Sequence, residues 1–361
     1  MSGNKALGRA LAAKQDEFYT RLEDIESELR HYRNHFKDRV VLCNCDDPYE
    51  SNFFKYFAMN FNALGLKKLI ATSYTGSPIV GTQLPLLEAA GVRGADSTGA
   101  FKVEITEVTD LNDDGAIDIL DVEQLLRNDA NAVTAIGGDG DFRSSESVAL
   151  LEEADIVVSN PPFSVWRAYV AQLIEHKKLF LIIGSQNAIT YKEIFPLLRD
   201  NQMWLGYHNG DMAFRVPDDY EPRETRYWVD EAGQKWRSMG NISWFTNLEI
   251  TKRYDELPLY KRYKAAEYPT YVNYPAIEVS KVAEIPHDYD GEMGVPITFL
   301  YRYNPEQFQI LGSSRHLGLP ISDFAEKGTY TQGGMRFYLD NGDGTYKRIY
   351  DRIVIKRIGD A

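Results

Sequence analysis

The stretch Asn160-Pro161-Pro162-Phe163 has the residue types and spacing to hold an amino group carried on a planar ring. Two consecutive prolines fix φ at about −65° and stiffen the turn. The Asn160 side-chain oxygen and the Pro161 carbonyl can then converge on one NH2 group, with the flat apolar face of Phe163 beside them. The chemical need is specific, because the lone pair of an aromatic amine is delocalised into its ring and is a poor nucleophile. Two acceptors that draw the amine hydrogens out of the ring plane favour sp³ character and stabilise positive charge as it develops. A ring stacked on Phe163 is held in line with an electrophilic carbon. The structural alternative is a rigid strand-to-helix loop, for which Asn-Pro-Pro is a natural stop signal.

The elements around this tetrapeptide favour the chemical reading. ADIVVSN (Ala154 to Asn160) is an apolar buried-strand run, and Trp166 to His176 reads as the helix that follows. In an open parallel sheet, ligands sit outside the carboxyl ends of the strands, which is where Asn160 falls. Upstream, Leu22, Ile25, Leu29, Tyr32 and Phe36 recur at helical spacing and predict an amphipathic N-terminal helix. RVVLCNC (Arg39 to Cys45), a helix over 51–64 with Phe53, Phe54, Phe57, Phe61 and Leu64 on one face, and KKLIATSY (Lys67 to Tyr74) make a βαβ unit with a right-handed crossover. A helix from Ser144 to Glu153 and a strand KLFLIIGS (Lys178 to Ser185) continue the alternation. Beyond about residue 205 the pattern changes to tyrosine-rich, proline-punctuated segments, ending in RIYDRIVIKRI (Arg348 to Ile358), which alternates as a half-exposed strand does. The fold class is α/β, a doubly wound, mostly parallel sheet followed by a β-rich part.

Composition bounds the remaining options. The 361 residues are 43% hydrophobic and 26% charged, which excludes a disordered chain, a collagen-like repeat and a disulfide scaffold. Cys43 and Cys45 are the sole cysteines and point to opposite faces of a strand, so core packing in a reducing cytoplasm is expected rather than a redox or zinc pair. No apolar run approaches the roughly 20 residues needed to span a bilayer, and the first residues lack a secretory apolar region. These features point to an intracellular protein with no membrane partner. A net charge of −13 by itself opposes a nucleic-acid partner, but eleven acids against three bases lie between Gly76 and Ile136, so most of the excess is local.

That acidic insertion, 76–136, carries a second constellation. Asp110, Asn112 and Asp114 stand at positions 1, 3 and 5 of a twelve-residue loop, Gly115 at its sharp turn, and the Ala116 carbonyl, Asp118 and Asp121 at positions 7, 9 and 12. Oxygen ligands at that spacing suit a structural calcium ion. The loop is more similar to the dockerin type than to the EF-hand, because position 12 is Asp rather than Glu. The alternative is a solvated acidic helix start. Farther along, Lys252, Arg253, Lys261, Arg262 and Lys264 interleave with Tyr254, Tyr260, Tyr263, Tyr268, Tyr271 and Tyr274. This stretch suits phosphate contact and suits equally a tyrosine-rich core with a charged face.

NPPF after an apolar strand resembles the signature of amino methyltransferases that use S-adenosylmethionine. DEFYT (Asp16 to Thr20), CNCDDP (Cys43 to Pro48), SNFFKYFA (Ser51 to Ala58), GDGDFRSSES (Gly138 to Ser147), SNPPFS, ITYKEIF (Ile189 to Phe195), GVPITFL (Gly294 to Leu300) and NPEQF (Asn304 to Phe308) are similar, in this order, to the EcoRI-type adenine-specific DNA methyltransferases. The resemblance covers roughly residues 15–75 and 137–310. It implies a Rossmann-like methyltransferase fold and a capping segment over 1–38. It further implies a catalytic domain over 39–205 interrupted by 76–136, and a target-recognition region over 206–361.

The resemblance also implies roles. Asn160, Pro161, Pro162 and Phe163 would be catalytic. Asn44, Asp46 and Asp47 would hold the methionine part of the cofactor, although the glycine-rich form found in most such enzymes is missing. Ser73 or Tyr74 would take the ribose in place of the usual acid, Asp141 and Phe142 would grip the cofactor adenine, and Tyr19 and Thr20 would cap the pocket. Trp244 or Phe245 would close over a flipped base. GGDGDF (Gly137 to Phe142) is not the cofactor loop, because too few residues separate it from Asn160. The implied activity is methyl transfer to adenine N6 in double-stranded DNA after base flipping, as in restriction-modification, with a cognate endonuclease as a companion. A methyltransferase of the same fold acting on RNA or protein glutamine, and a non-catalytic calcium-dependent interaction module, are the alternatives.

Overall fold

Val40, Val41, Leu42 and Cys43 are all buried, as a strand without polar alternation must be when both its faces are covered. In a computed structural model, residues 18–45, 48, 51–73, 100–109, 121, 132–137, 140–218 and 220–358 are described. The strand is β2 (Val40–Cys43), and it sits inside a ten-stranded sheet. On one side it pairs in parallel with β3 (Lys68–Thr72), and on the other with β6 (Ile156–Ser159), which pairs in parallel with β7 (Leu179–Ser185). Antiparallel strands β4 (Phe101–Ile105) and β5 (Ala132–Ala135) extend the sheet beyond β3. At the far edge stand β10 (Lys235–Thr246), β8 (Trp204–Arg215) and β1 (Tyr19–Thr20), with the short β9 (Tyr227–Val229) on β10. The chain runs outward from β2 to β3 and later resumes at β6 on the opposite flank of β2. The carboxyl ends of β2 and β6 therefore flank a switch point, the place where an open sheet binds ligands.

The helices follow the sequence pattern with instructive departures. The N-terminal stripe folds as α1 (Leu22–Leu29) and a 3-10 turn, and Ile25, Leu29, Tyr32 and Phe36 are fully buried. The helix expected over 51–64 is two, α2 (Asn52–Met59) and α3 (Phe61–Leu64). The break is at Asn60, whose side-chain amide donates to the Tyr56 carbonyl at 2.9 Å and competes with the backbone ladder. Ser51 caps α2, and Gly65, at φ +63°, ends α3 in the left-handed conformation that glycine adopts without strain. Crossing from β5 to β6 is α4 (Ser145–Glu153), capped by Ser144, and from β6 to β7 α5 (Trp166–Glu175).

The chain divides into two units, Met1–Gln186 with Gly206–Leu248, and Asn187–Leu205 with Glu249–Ala361. The boundary expected near residue 205 thus falls elsewhere. Residues 206–248 join the first unit because β10 pairs with β7 from Ile242 opposite Ser185 to Thr246 opposite Leu181, completing the sheet. The second unit holds a four-stranded sheet in the order β11 (Ile277–Glu278), β12 (Met293–Pro296), β16 (Arg352–Arg357), β13 (Phe308–Ser313), and the hairpin β14 (Tyr338–Asp340) and β15 (Tyr346–Arg348). The last strand is not half-exposed as its alternation predicts. Ile353, Val354 and Ile355 are all fully buried, since β16 has a strand on each side and packs Val354 against Tyr271, Ala276, Phe337 and Ile349. No helix among the described residues is long and apolar enough to cross a membrane.

Candidate active site

Asn160 follows the last residue of β6 and is only 5% exposed. Its Nδ2 donates to the main-chain carbonyl of Phe18 at 2.5 Å, which fixes which way the amide faces. Its Oδ1 is buried and has no hydrogen-bond partner among the described residues. A buried acceptor left unpaired costs about 1–3 kcal/mol, so such atoms mark places where a ligand donor completes the structure. Pro161 is buried, and the Val165 N–H closes the turn onto the Pro162 carbonyl at 3.1 Å before α5 begins. The Phe163 ring is half-buried and lies 5.7 Å from the ring of Phe18. Phe18 in turn meets Phe214 at 5.7 Å and Tyr220 at 6.3 Å. A stiff polar corner with one unfilled acceptor therefore stands beside an aromatic wall.

Beside this corner, at the end of β2, Asn44 Oδ1 accepts a hydrogen bond from the Tyr169 hydroxyl. The Tyr169 ring meets Phe142 edge-on at 5.3 Å, so one residue of α5 ties together two loops expected to touch the same ligand. Burial, reinforced by the thiols of Cys45 and Cys43, pushes the Tyr169 hydroxyl well above its usual pKa, which keeps it a donor. Gln172, one turn on, donates to the Phe142 carbonyl at 3.0 Å and leaves its Oε1 buried and unpartnered among the described residues. Thr20 Oγ1 is likewise buried without a partner among the described residues. Two acceptors and a hydroxyl left unfilled suit a ligand rich in donors, such as one carrying an ammonium and an amino group. Phe18, Tyr169 and Gln172 were not singled out from the sequence. The signal was present for Tyr169, since a tyrosine on a buried helix face needs a partner for its hydroxyl.

Other expected residues take varied positions. Both Asp141 oxygens are engaged by Arg143, at 2.8 Å to Nε and 2.5 Å to Nη2, and this pairing lowers the Asp141 pKa and keeps the carboxylate ionised. Ser73 is buried and its hydroxyl accepts from the Phe101 N–H at 3.1 Å, binding it to β4. Tyr19 is buried under Arg215, whose guanidinium lies 4.8 Å from its ring centroid. Asp46, Asp47 and Tyr74 lie outside the described residues, as do Asp110, Asn112, Asp114, Ala116 and Asp118 of the calcium-type loop. Asp121 is buried, and no group of residues suited to a metal ion occurs among the described residues.

The sequence profile of the family described as adenine-specific methyltransferase EcoRI matches residues 6–358. The chain belongs to this family. It is similar to the Type II methyltransferase M.EcoRI of Escherichia coli, with 47% identity over 312 residues, 85% of this chain and 89% of that protein. Identity is 37% over 357 residues to the Type II methyltransferase M.MpnI of Mycoplasma pneumoniae, covering 97% of each chain. It is 35% over 360 residues to M.MgeORF184P of Mycoplasma genitalium, covering 97% of this chain and 98% of that protein. No solved structure matches the chain. The mixed α/β architecture with one large mixed sheet fits a methyltransferase fold.

Two other expectations for a member of this family meet a different structure. Trp244 and Phe245 have no accessible surface, so neither lines a cavity open to a flipped base. They pack edge-on against Phe53 and Trp166, because β10 is an interior strand with both faces covered. The interleaved stretch 252–274 is largely a charged face over a tyrosine core. Arg253 is buried over Trp204 and paired with Glu249, Tyr271 donates to Glu278, and Tyr274 donates to Glu292. Tyr260, 83% exposed, stands out into solvent.

Proposed function

We propose that this protein is a site-specific DNA methyltransferase that moves the methyl group of S-adenosylmethionine to adenine N6 in duplex DNA. The carrying observation is the orientation of Asn160. Its amide nitrogen is committed to Phe18, leaving its oxygen for the exocyclic NH2. The Pro161 carbonyl supplies the second acceptor, and Phe163 with Phe18 supplies the face on which the ring rests. When bound, the cofactor supplies an electrophilic methyl on a sulfonium. The two acceptors pull the amine out of conjugation and stabilise the charge that develops on nitrogen. The proton then leaves to solvent, and no general base is required because an N-methylated arylammonium is strongly acidic. An adenine inside a duplex cannot reach this corner, so the base is flipped out first.

Membership of an adenine-specific family whose relatives are Type II methyltransferases supports DNA over RNA or glutamine as substrate. The strand order around β2 and β6 supports a Rossmann-like scaffold, with the cofactor held by Asn44, Phe142, Asp141, Tyr19 and Thr20, and by Asp46, Asp47, Ser73 and Tyr74. The second unit takes the role of DNA recognition, in a cytoplasmic enzyme working alongside a cognate endonuclease. Supplying tritiated S-adenosylmethionine to the protein with duplex DNA, RNA or a protein extract tests the substrate class. Label is expected in DNA alone, and label confined to RNA or protein contradicts the proposal.

Tyr169→Phe removes the hydrogen bond that positions Asn44. Losing one such bond corresponds to a fall in cofactor affinity of up to about tenfold; calorimetry showing wild-type affinity contradicts the positioning role. The spacing from Asp110 to Asp121 supports a calcium ion that orders the insertion without taking part in methyl transfer. Calcium is expected to give a calorimetric signal and to raise the melting temperature relative to EDTA. Neither change appearing contradicts it.

A further inference from the structure

The second unit carries a cleft of about 770 Å³ between the β14–β15 hairpin and the segment 328–331. It is lined by Arg336, Lys347 and Arg348 with a single acid, Asp351. That carboxylate is shared by two guanidinium groups, Arg336 Nε at 2.8 Å and Arg315 Nη2 at 2.7 Å. Lys347 and Arg348 form no ion pair among the described residues. The acids of the hairpin turn are used within it, Asp340 by the Gly342 N–H at 2.7 Å and Asp343 by the Thr345 N–H at 2.9 Å. The cleft therefore holds an excess of cations in a chain whose net charge is −13.

The walls are built to keep that excess in place. Tyr330 bridges to Tyr346, and the Tyr346 N–H donates to the Thr329 carbonyl at 2.9 Å, which fixes the segment against β15. A Cβ at Gly333 would lie 2.5 Å from Arg348 Nη1, so glycine is what gives the guanidinium its room. Burial lowers the Arg336 pKa, and the neighbouring charges of Arg315 and Arg348 add to that against the opposing pull of Asp351. Tyr350, 89% exposed, offers a hydroxyl at the rim.

We propose that this cleft binds the phosphodiester backbone of duplex DNA, with Lys347 and Arg348 as its principal cations and the half-buried Arg336 beside them. The guanidinium fork matches two phosphate oxygens, and contacts of this kind set position and register without reading sequence. The inference rests on the DNA reading above and adds where the second unit holds the backbone. It also moves the expected phosphate contact away from the 252–274 stretch.

The test is fluorescence anisotropy with a mixed-sequence duplex, measured from about 50 to about 200 mM salt, on the wild type, Lys347→Ala/Arg348→Ala and Arg348→Lys. The double variant is expected to bind more weakly, with the slope of log affinity against log salt shallower by about two, one for each cation removed. Arg348→Lys keeps the charge and is expected to keep the wild-type slope, and all three proteins are expected to bind S-adenosylmethionine equally. Wild-type affinity and slope in the double variant overturn the proposal, as does a slope in Arg348→Lys shallower than the wild-type slope by about one or more. A wild-type protein that methylates no DNA overturns the function instead, which separates the two failures.

Discussion

Replacing Asn160 with alanine is expected to lower the rate of methyl transfer by at least about 10²–10³-fold, the range seen when one preorganised group facing developing charge is removed. The side chain has two jobs that alanine ends together. Its Oδ1 is the acceptor left for the amine, and its Nδ2 anchors the corner to the Phe18 carbonyl. The proposed cofactor end of the site rests on Tyr169, Asn44 and Phe142, which contact one another rather than Asn160, so affinity for S-adenosylmethionine is expected to be retained. Single-turnover kinetics on plasmid DNA, paired with calorimetry, separates the two effects. A variant that still methylates within tenfold of the wild-type rate removes Asn160 from the chemistry.

The second large effect is on stability and lies away from the corner. Glu28 is fully buried in α1, and its carboxylate accepts from the Tyr32 hydroxyl, the Tyr207 N–H and the His208 N–H, each at 2.8 Å, with His208 Nδ1 at 2.7 Å. Gly206 is where this approach is possible, since a Cβ there would meet Glu28 Oε1 and lie 2.8 Å from the Cβ of Trp244. Burial and the Glu28 charge hold the Tyr32 hydroxyl far above its ordinary pKa, so it stays a donor at every working pH. Glu28→Ala strands these donors in the interior and is expected to destabilise the first unit by about 3–5 kcal/mol. At 2–4 °C for each kcal/mol, that is a fall of roughly 10 °C in its melting temperature. Because α1 leads directly out of β1 and Phe18, loosening it also loosens the carbonyl that orients Asn160. Calorimetric melting that shows a shift of under about 2 °C contradicts the role assigned to this network.

The parallel centre of the sheet was legible because strands covered on both faces are written as unbroken apolar runs, such as VVLC and IVVS. The NPPF corner was legible because prolines and an amide after such a run leave few structural alternatives. Less visible was the partner that gives Asn160 its direction. Phe18 contributes a main-chain carbonyl, which any residue could supply, brought in from 142 residues away. Trp244 and Phe245 misled because bulky aromatics suggest a pocket, while the strand carrying them proved interior once β7 paired with it. The second unit was least readable. Its cation-rich cleft sets Arg336 beside Lys347 and Arg348, so a basic pair of two residues is all that announces it locally, whereas the longer run at 252–264 is partly consumed by Glu249 and Glu267.

The central claim is that the corner after β6 directs a methyl group onto an exocyclic ring nitrogen, and the position of the transferred methyl tests it most directly. Nucleoside mass spectrometry of DNA treated with the purified protein is expected to show N6-methyl-2′-deoxyadenosine as its sole new product, absent with Asn160→Ala. Methyl found on a ring carbon of cytosine, or undiminished N6-methyladenine from the alanine variant, would contradict the account.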